Sequence, residues 1–185
     1  PDKNILICGN GAEALLAATL LDGSGHDVSL CRTPDQDGRQ ALLMSPAVLT
    51  KLESCGLADT FIGMGHRLNI VRIFEDEKLI GRFDLGQLKH DYNFLLAVPY
   101  ETVCRVLEER LDERMQLFDG AVENVRFSKT DIQVQLKGER IVAPDVLVAA
   151  DGGNSQVRTA LGIPYVGYDY PLEWVYQDGT FEEWD

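Results

Sequence analysis

The sequence has no C-x-x-C pair, no H-x-x-x-H or mixed Cys/His spacing, and no G-x-S-x-G. The first two absences exclude a zinc site legible from ligand spacing, and the third excludes the nucleophile elbow of serine hydrolases. The four cysteines, Cys8, Cys31, Cys55 and Cys104, are widely separated. Cys8, Cys55 and Cys104 fall on apolar patterns typical of buried thiols, as expected of a protein in the reducing cytoplasm. His26, His66 and His90 are scattered, and no metal is expected. No run of about 18 apolar residues is present, so no membrane-spanning helix is expected. The apolar stretch after Gly11 reads as a helix of the fold rather than as a signal peptide. Basic residues are few: 17 Lys and Arg stand against 30 Asp and Glu, a net charge of −13. Acidic clusters at Glu75 to Glu77, Glu108 to Glu113 and Glu182 to Asp185 repel nucleic acid and anionic membrane surfaces, and neither is expected as a partner.

What is present begins with size. With 185 residues, 45% of them hydrophobic, the chain can bury one substantial core but is small for two complete domains. Asn4 to Cys8 reads as a short buried strand, and Gly9-Asn10-Gly11-Ala12-Glu13-Ala14 leads into an apolar helix over Leu15 to Leu21. This is a G-x-G-x-x-A turn in the context it requires, because His26 to Leu30 supplies the second strand of a βαβ unit. Gly9 permits the tight bend, Gly11 lets a pyrophosphate approach the backbone, and Ala14 is small enough for close helix-on-strand packing. Gly9, Gly11, Ala12 and Ala14 are therefore candidate dinucleotide contacts. An acidic residue is expected about 20 residues further on, at the end of the second strand, to hold the adenosine ribose. Cys31 stands there instead, an uncharged and poor acceptor. Arg32 follows, and a small residue before Arg is also what a 2′-phosphate site for NADP uses, since a guanidinium pairs bidentately with phosphate.

The second motif lies near the other end. Val146 to Ala150 form an apolar, β-branched run expected to be a buried strand, and Asp151-Gly152-Gly153 turns the chain toward a helix that Asn154 or Ser155 can cap. Asp151 is open to two readings: an acceptor for ribose hydroxyls, or a local cap of the turn. Between the motifs, Ser45 and Pro46 start a helix that Gly56 stops at its left-handed position, with Leu57 covering the end. Asn69 to Phe74 and Lys78 to Asp84 read as a hairpin. A helix over Glu101 to Glu113 precedes a core strand at Met115 to Phe118. A meander over Ala121 to Phe127, Asp131 to Leu136 and Arg140 to Val142 follows.

Ala150-Asp151-Gly152-Gly153-Asn154-Ser155-Gln156-Val157-Arg158, followed by Leu161-Gly162-Ile163-Pro164, resembles the Asp-Gly motif of the FAD-dependent aromatic-ring monooxygenases, the p-hydroxybenzoate hydroxylase-like flavoproteins. Gly38 to Pro46 and Val98 to Leu107 resemble two further segments of that family. The resemblance covers nearly all of the chain but about the first half of a family member. It implies an α/β fold: a Rossmann-like FAD-binding domain of glutathione-reductase type with a β-meander over residues 1–164. The aromatic-rich residues 165–185 would begin a truncated substrate-binding β-sheet domain. It also implies FAD as cofactor, NAD(P)H as co-substrate, and hydroxylation of an aromatic or polyketide-like small molecule. Asp151, Gly152 and Arg158 inherit roles at the flavin dinucleotide and the nicotinamide route. Arg39 corresponds to an arginine near the flavin, and Val122 falls where the family contacts adenine through its main chain. Tyr100 stands where the family usually carries Arg or Gln against the flavin phosphates or ribityl chain, and Cys31 where it often has Glu before Arg. Those two departures leave a second reading open, a degenerate module that holds NADP or no cofactor.

Overall fold

The structure is a computed structural model, and it describes residues 2–33, 41–128, 131–173, 175 and 177. The chain opens with β1 (Asn4–Cys8), α1 (Ala12–Leu21) and β2 (Asp27–Arg32). It continues through β3 (Leu42–Met44), α2 (Pro46–Ser54), α3 (Ala58–Met64), β4 (His66–Leu68), β5 (Ile70–Glu75), β6 (Lys78–Asp84) and β7 (Leu95–Val98). After α4 (Tyr100–Glu108) come β8 (Gln116–Asp119), β9 (Val122–Phe127), β10 (Ile132–Leu136), β11 (Arg140–Val142), β12 (Val146–Ala149) and α5 (Gln156–Ala160). Two compact units result, one built on residues 1–38 and 104–176 and the other on residues 39–103.

The first unit is organised by a parallel sheet of order β12-β1-β2-β8. Its central strand β1 is nearly all apolar, and Leu6, Ile7 and Cys8 are fully buried. Parallel strands covered on both faces read as continuous hydrophobic runs for this reason. Ala14, Leu15 and Ala18 of α1 are likewise fully buried. On the other side Leu6, Cys8, Cys31 and Phe118 share a core with Val122, Val125, Val134 and Leu136 of the antiparallel meander β11-β10-β9 and with Val157 of α5. Each fully buried leucine here contributes roughly 1.5–3 kcal/mol of burial free energy.

Three elements differ from the sequence expectation. Among the described residues the strand before Asp151, β12, is the sheet's edge rather than a buried strand; Val146, Leu147 and Val148 are only half-buried. An apolar run marks a strand but does not say how many neighbours it has. Helix α4 stops at Glu108 instead of running to Glu113. The carboxylate of Asp112 accepts the backbone N–H of Arg114 at 2.8 Å, a local turn that competes with the helix ladder. Residues 165–173 form neither helix nor strand; no neighbouring strand among the described residues offers them a ladder. The rest of that aromatic segment, including Trp174, Tyr176, Phe181 and Trp184, lies outside the described residues. The short helix α3 had not been anticipated, although Leu57 and Phe61 are an i,i+4 apolar pair, both fully buried.

In the second unit β3, β7 and β4 make an antiparallel sheet of order β3-β7-β4. The expected hairpin is β5 paired with β6, with Asp76 and Glu77 at positive φ in its turn. Its strands expose Ile73, Phe74, Ile80 and Phe83. Helix α2 ends as its sequence dictates: Gly56 has φ +70°, and the Leu57 N–H donates back to the Leu52 carbonyl at 2.8 Å.

Candidate functional site

All four strands of the parallel sheet deliver their C-terminal ends to one edge of the first unit, the edge at which α/β folds place their ligands. The tips are knitted together by backbone bonds. The N–H of Gly9 donates to the Cys31 carbonyl at 2.9 Å, that of Ala150 to Cys8 at 2.8 Å, and that of Gly120 to Arg32 at 3.3 Å.

The glycine turn is fixed by close approach. Gly9 has φ +149°, and a Cβ there would run into the Ala150 carbonyl oxygen and come within 2.8 Å of the Ala14 Cβ. The G-x-G-x-x-A spacing thus locks strand, helix and the Asp-Gly strand into one joint. Gly11 caps α1 with extended backbone (φ −86°, ψ 175°) and offers no side chain to the helix start, whose positive dipole end lies at the strand tips. Ala12, the first residue of α1, and Ala14 are both buried. Between the two glycines, the Oδ1 of Asn10 is buried and meets no hydrogen-bond partner among the described residues. A carboxamide in that position suits a ligand that brings a hydroxyl to it or, turned about its last bond, an oxygen for its N–H. The uncapped glycine turn and the orphaned Asn10 oxygen both fit a dinucleotide such as FAD.

At the Asp-Gly turn the local-cap reading of Asp151 is the geometry observed. Its Oδ2 accepts the backbone N–H groups of Gln156 at 2.7 Å and Val157 at 3.0 Å, and its Oδ1 accepts the Ser155 hydroxyl at 2.5 Å. Ser155 is the N-cap, accepting the Arg158 N–H at 2.9 Å, and Gly152 takes φ +76° to make the turn. Arg158 donates to the Gly153 carbonyl at 2.8 Å and lies 4.4 Å from the centre of the Tyr165 ring. The turn is therefore held rigid by its own side chains.

Cys31 is fully buried, opposite Cys8 in the β1–β2 register, and its Sγ donates to the Gly120 carbonyl at 3.5 Å. The hydrogen bond between the two thiols and their burial push Cys8 well above the ordinary thiol range. Cys31, which accepts that bond, is held lower. Neither sulfur faces solvent. Arg32 is paired through its Nε with Asp119 Oδ1 at 2.9 Å. Val122 is buried, and its N–H is donated to Gln156 Oε1 at 2.9 Å.

The first unit therefore brings together Gly9, Gly11, Ala12, Ala14, Cys31, Arg32, Val122, Asp151 and Gly152. Tyr100 belongs to the second unit, where it begins α4 and is buried. Arg39 lies outside the described residues. Sequence reasoning missed Asn10, although its place between the two glycines was a signal. Asp119, which pairs with Arg32 at the end of β8, is likewise absent from the sequence candidates. Among the described residues no group of His, Cys, Asp or Glu gathers to hold a metal, and no helix is long and apolar enough to cross a membrane.

A glycine turn and an Asp-Gly turn meeting at the tips of a parallel sheet define an α/β dinucleotide-binding protein. The chain belongs to the FAD-binding domain family, whose model matches residues 2–185. It is 29% identical to the ubiquinone hydroxylase UbiM of Neisseria meningitidis, over 91% of this chain and 40% of that protein. It is 26% identical to pentachlorophenol 4-monooxygenase of Sphingobium chlorophenolicum, over 91% of this chain and 33% of the other. PqsL of Pseudomonas aeruginosa, solved in complex with 2-aminobenzoylacetate, superposes with a TM-score of 0.78 at 25% identity, over 92% of this chain and 49% of that one. The chain thus spans less than half the length of these relatives.

Proposed function

We propose that this chain is the FAD-binding part of a flavin monooxygenase that uses NAD(P)H and dioxygen to hydroxylate an aromatic or polyketide-like small molecule. The observation that carries the reading is the joint at the strand tips, where Gly9 meets Ala150 directly before Asp151-Gly152, in a chain matched by the FAD-binding family from end to end. The names of the relatives, hydroxylases and monooxygenases, support the reaction class. The strand order β12-β1-β2-β8 with its three-stranded meander supports the glutathione-reductase type of dinucleotide fold. The exposed Tyr165, Tyr168 and Tyr170 support a substrate-domain segment beginning after residue 164. The four free thiols suit the cytoplasm.

Bound at the strand tips, FAD would supply the redox chemistry, taking a hydride from the nicotinamide and passing electrons to dioxygen. The chain's own residues bind and orient. Gly9 makes the tight bend against Ala150, Gly11 keeps a side chain clear of the pyrophosphate, and the α1 dipole stabilises its charge. Asn10 offers its unsatisfied carbonyl oxygen. Asp151 and Ser155 hold the Asp-Gly turn and the start of α5 in place, so that the cofactor meets a preformed surface.

The test is dioxygen uptake by the complete protein carrying this chain, loaded with FAD and given NADH or NADPH with a panel of phenols. Uptake stimulated by a phenol, with one oxygen atom appearing in the product, is expected. FAD binding without phenol-stimulated uptake or hydroxylated product from any member would contradict the monooxygenase reading while leaving the cofactor assignment intact.

A further inference from the structure

A dinucleotide turn of this kind is normally completed by a carboxylate at the end of the second strand, where it accepts the hydroxyls of the adenosine ribose. Position 31 cannot do this here, because the Cys31 thiol is buried and bonded to the Gly120 carbonyl. One strand further along the same edge, β8 ends in Asp119, directly opposite Arg32 in the parallel register. The Asp119 side chain is 76% exposed, and its Oδ1 accepts the Arg32 Nε–H at 2.9 Å. We propose that Asp119 is the ribose-binding carboxylate of this protein, and that its pairing with Arg32 makes the adenosine site selective for an unphosphorylated ribose.

Two observations and one point of chemistry converge on it. Asp119 lies close enough to Cys31 for its charge to be felt at the thiol, so the negative charge missing from position 31 is present beside it. The Arg32 guanidinium, which would otherwise attract a 2′-phosphate, is neutralised by the ion pair. A phosphate there would also face the Asp119 carboxylate, whereas a vicinal diol donates hydrogen bonds to it. The NADP reading of Cys31-Arg32 is disfavoured by the same pair.

The inference rests on FAD occupying the strand-tip edge, and its test separates the two. Dissociation constants are read from flavin fluorescence quenching for FAD, and by calorimetry for ADP and adenosine 2′,5′-bisphosphate, with the whole chain. Asp119→Asn is expected to weaken FAD and ADP about tenfold and to improve the bisphosphate relative to ADP. Asp119→Glu is expected to stay within about threefold of the parent, and Glu123→Gln, an exposed carboxylate on β9, to change nothing. Thermal melting confirms that the variants fold. Unchanged FAD affinity in Asp119→Asn, with a parent that binds FAD, would overturn the assignment of Asp119 alone. A parent that binds none of the three ligands would overturn the occupancy on which the assignment rests.

Discussion

The Cα of Gly9 faces the carbonyl of Ala150 so closely that the turn has no space for a side chain. The residue also sits at φ +149°, a region that side-chain-bearing residues rarely enter. Gly9→Ala must therefore push β12 away from β1 or distort the turn. Overpacking and backbone strain together cost about 3 kcal/mol. For a chain of this size that corresponds to a fall in Tm of roughly 6–12 °C, measured by thermal denaturation. Gly23→Ala makes the comparison. Gly23 also has positive φ, but a Cβ there would meet nothing within 4 Å, so the expected loss is only about 1 kcal/mol, from the backbone conformation.

Asp151 accepts three hydrogen bonds from its own turn and helix. Asp151→Ala leaves the Gln156 and Val157 N–H groups without that acceptor and should cost about 2–3 kcal/mol. Ser155→Ala, which removes the N-cap acceptor of Arg158, should cost about 1 kcal/mol. The two changes share one network, so the double variant should lose less than the sum. Urea denaturation of the single and double variants measures this. Additive losses would mean that Asp151 and Ser155 act independently.

Buried Cys8 predicts an alkaline instability. The folded pKa of Cys8 is raised above the ordinary thiol value of 9.0 by its bond to Cys31 and by burial. A group whose folded pKa is raised contributes its stability fully below the unfolded value and loses it as pH climbs past that value. The urea midpoint should therefore fall as pH rises through about 9 and beyond, against the opposite effect of Cys31, which the same bond holds lower, and Cys8→Ala should flatten the fall while lowering the midpoint at pH 7. An alkaline drop of equal size in Cys8→Ala would show that other groups cause it.

Much of the fold was legible in the sequence because its signals are local. The β1-α1-β2 unit, the meander and the hairpin each carry their own periodicity and turn residues, and each was found close to its expected span. Neighbourhood was not legible. The run Val146 to Ala149 looks the same whether its strand lies at the centre or the edge of a sheet, and only the pairing with β1 alone places it at the edge. For Asp151, sequence left two roles open; that it caps its own turn depends on where the Gln156 and Val157 N–H groups point, which no spacing rule states. Asp119 was invisible as a site residue because its relation to Arg32 spans 87 positions.

The central claim is that the strand-tip edge of this chain holds FAD. The most direct measurement is the visible absorption spectrum of the purified chain after incubation with FAD and removal of free flavin, followed by chromatographic identification of whatever heat releases. The account predicts flavin bands near about 375 and 450 nm that travel with the protein, with released FAD as their source. A colourless protein that melts cooperatively, and is therefore folded, yet retains no FAD would contradict it.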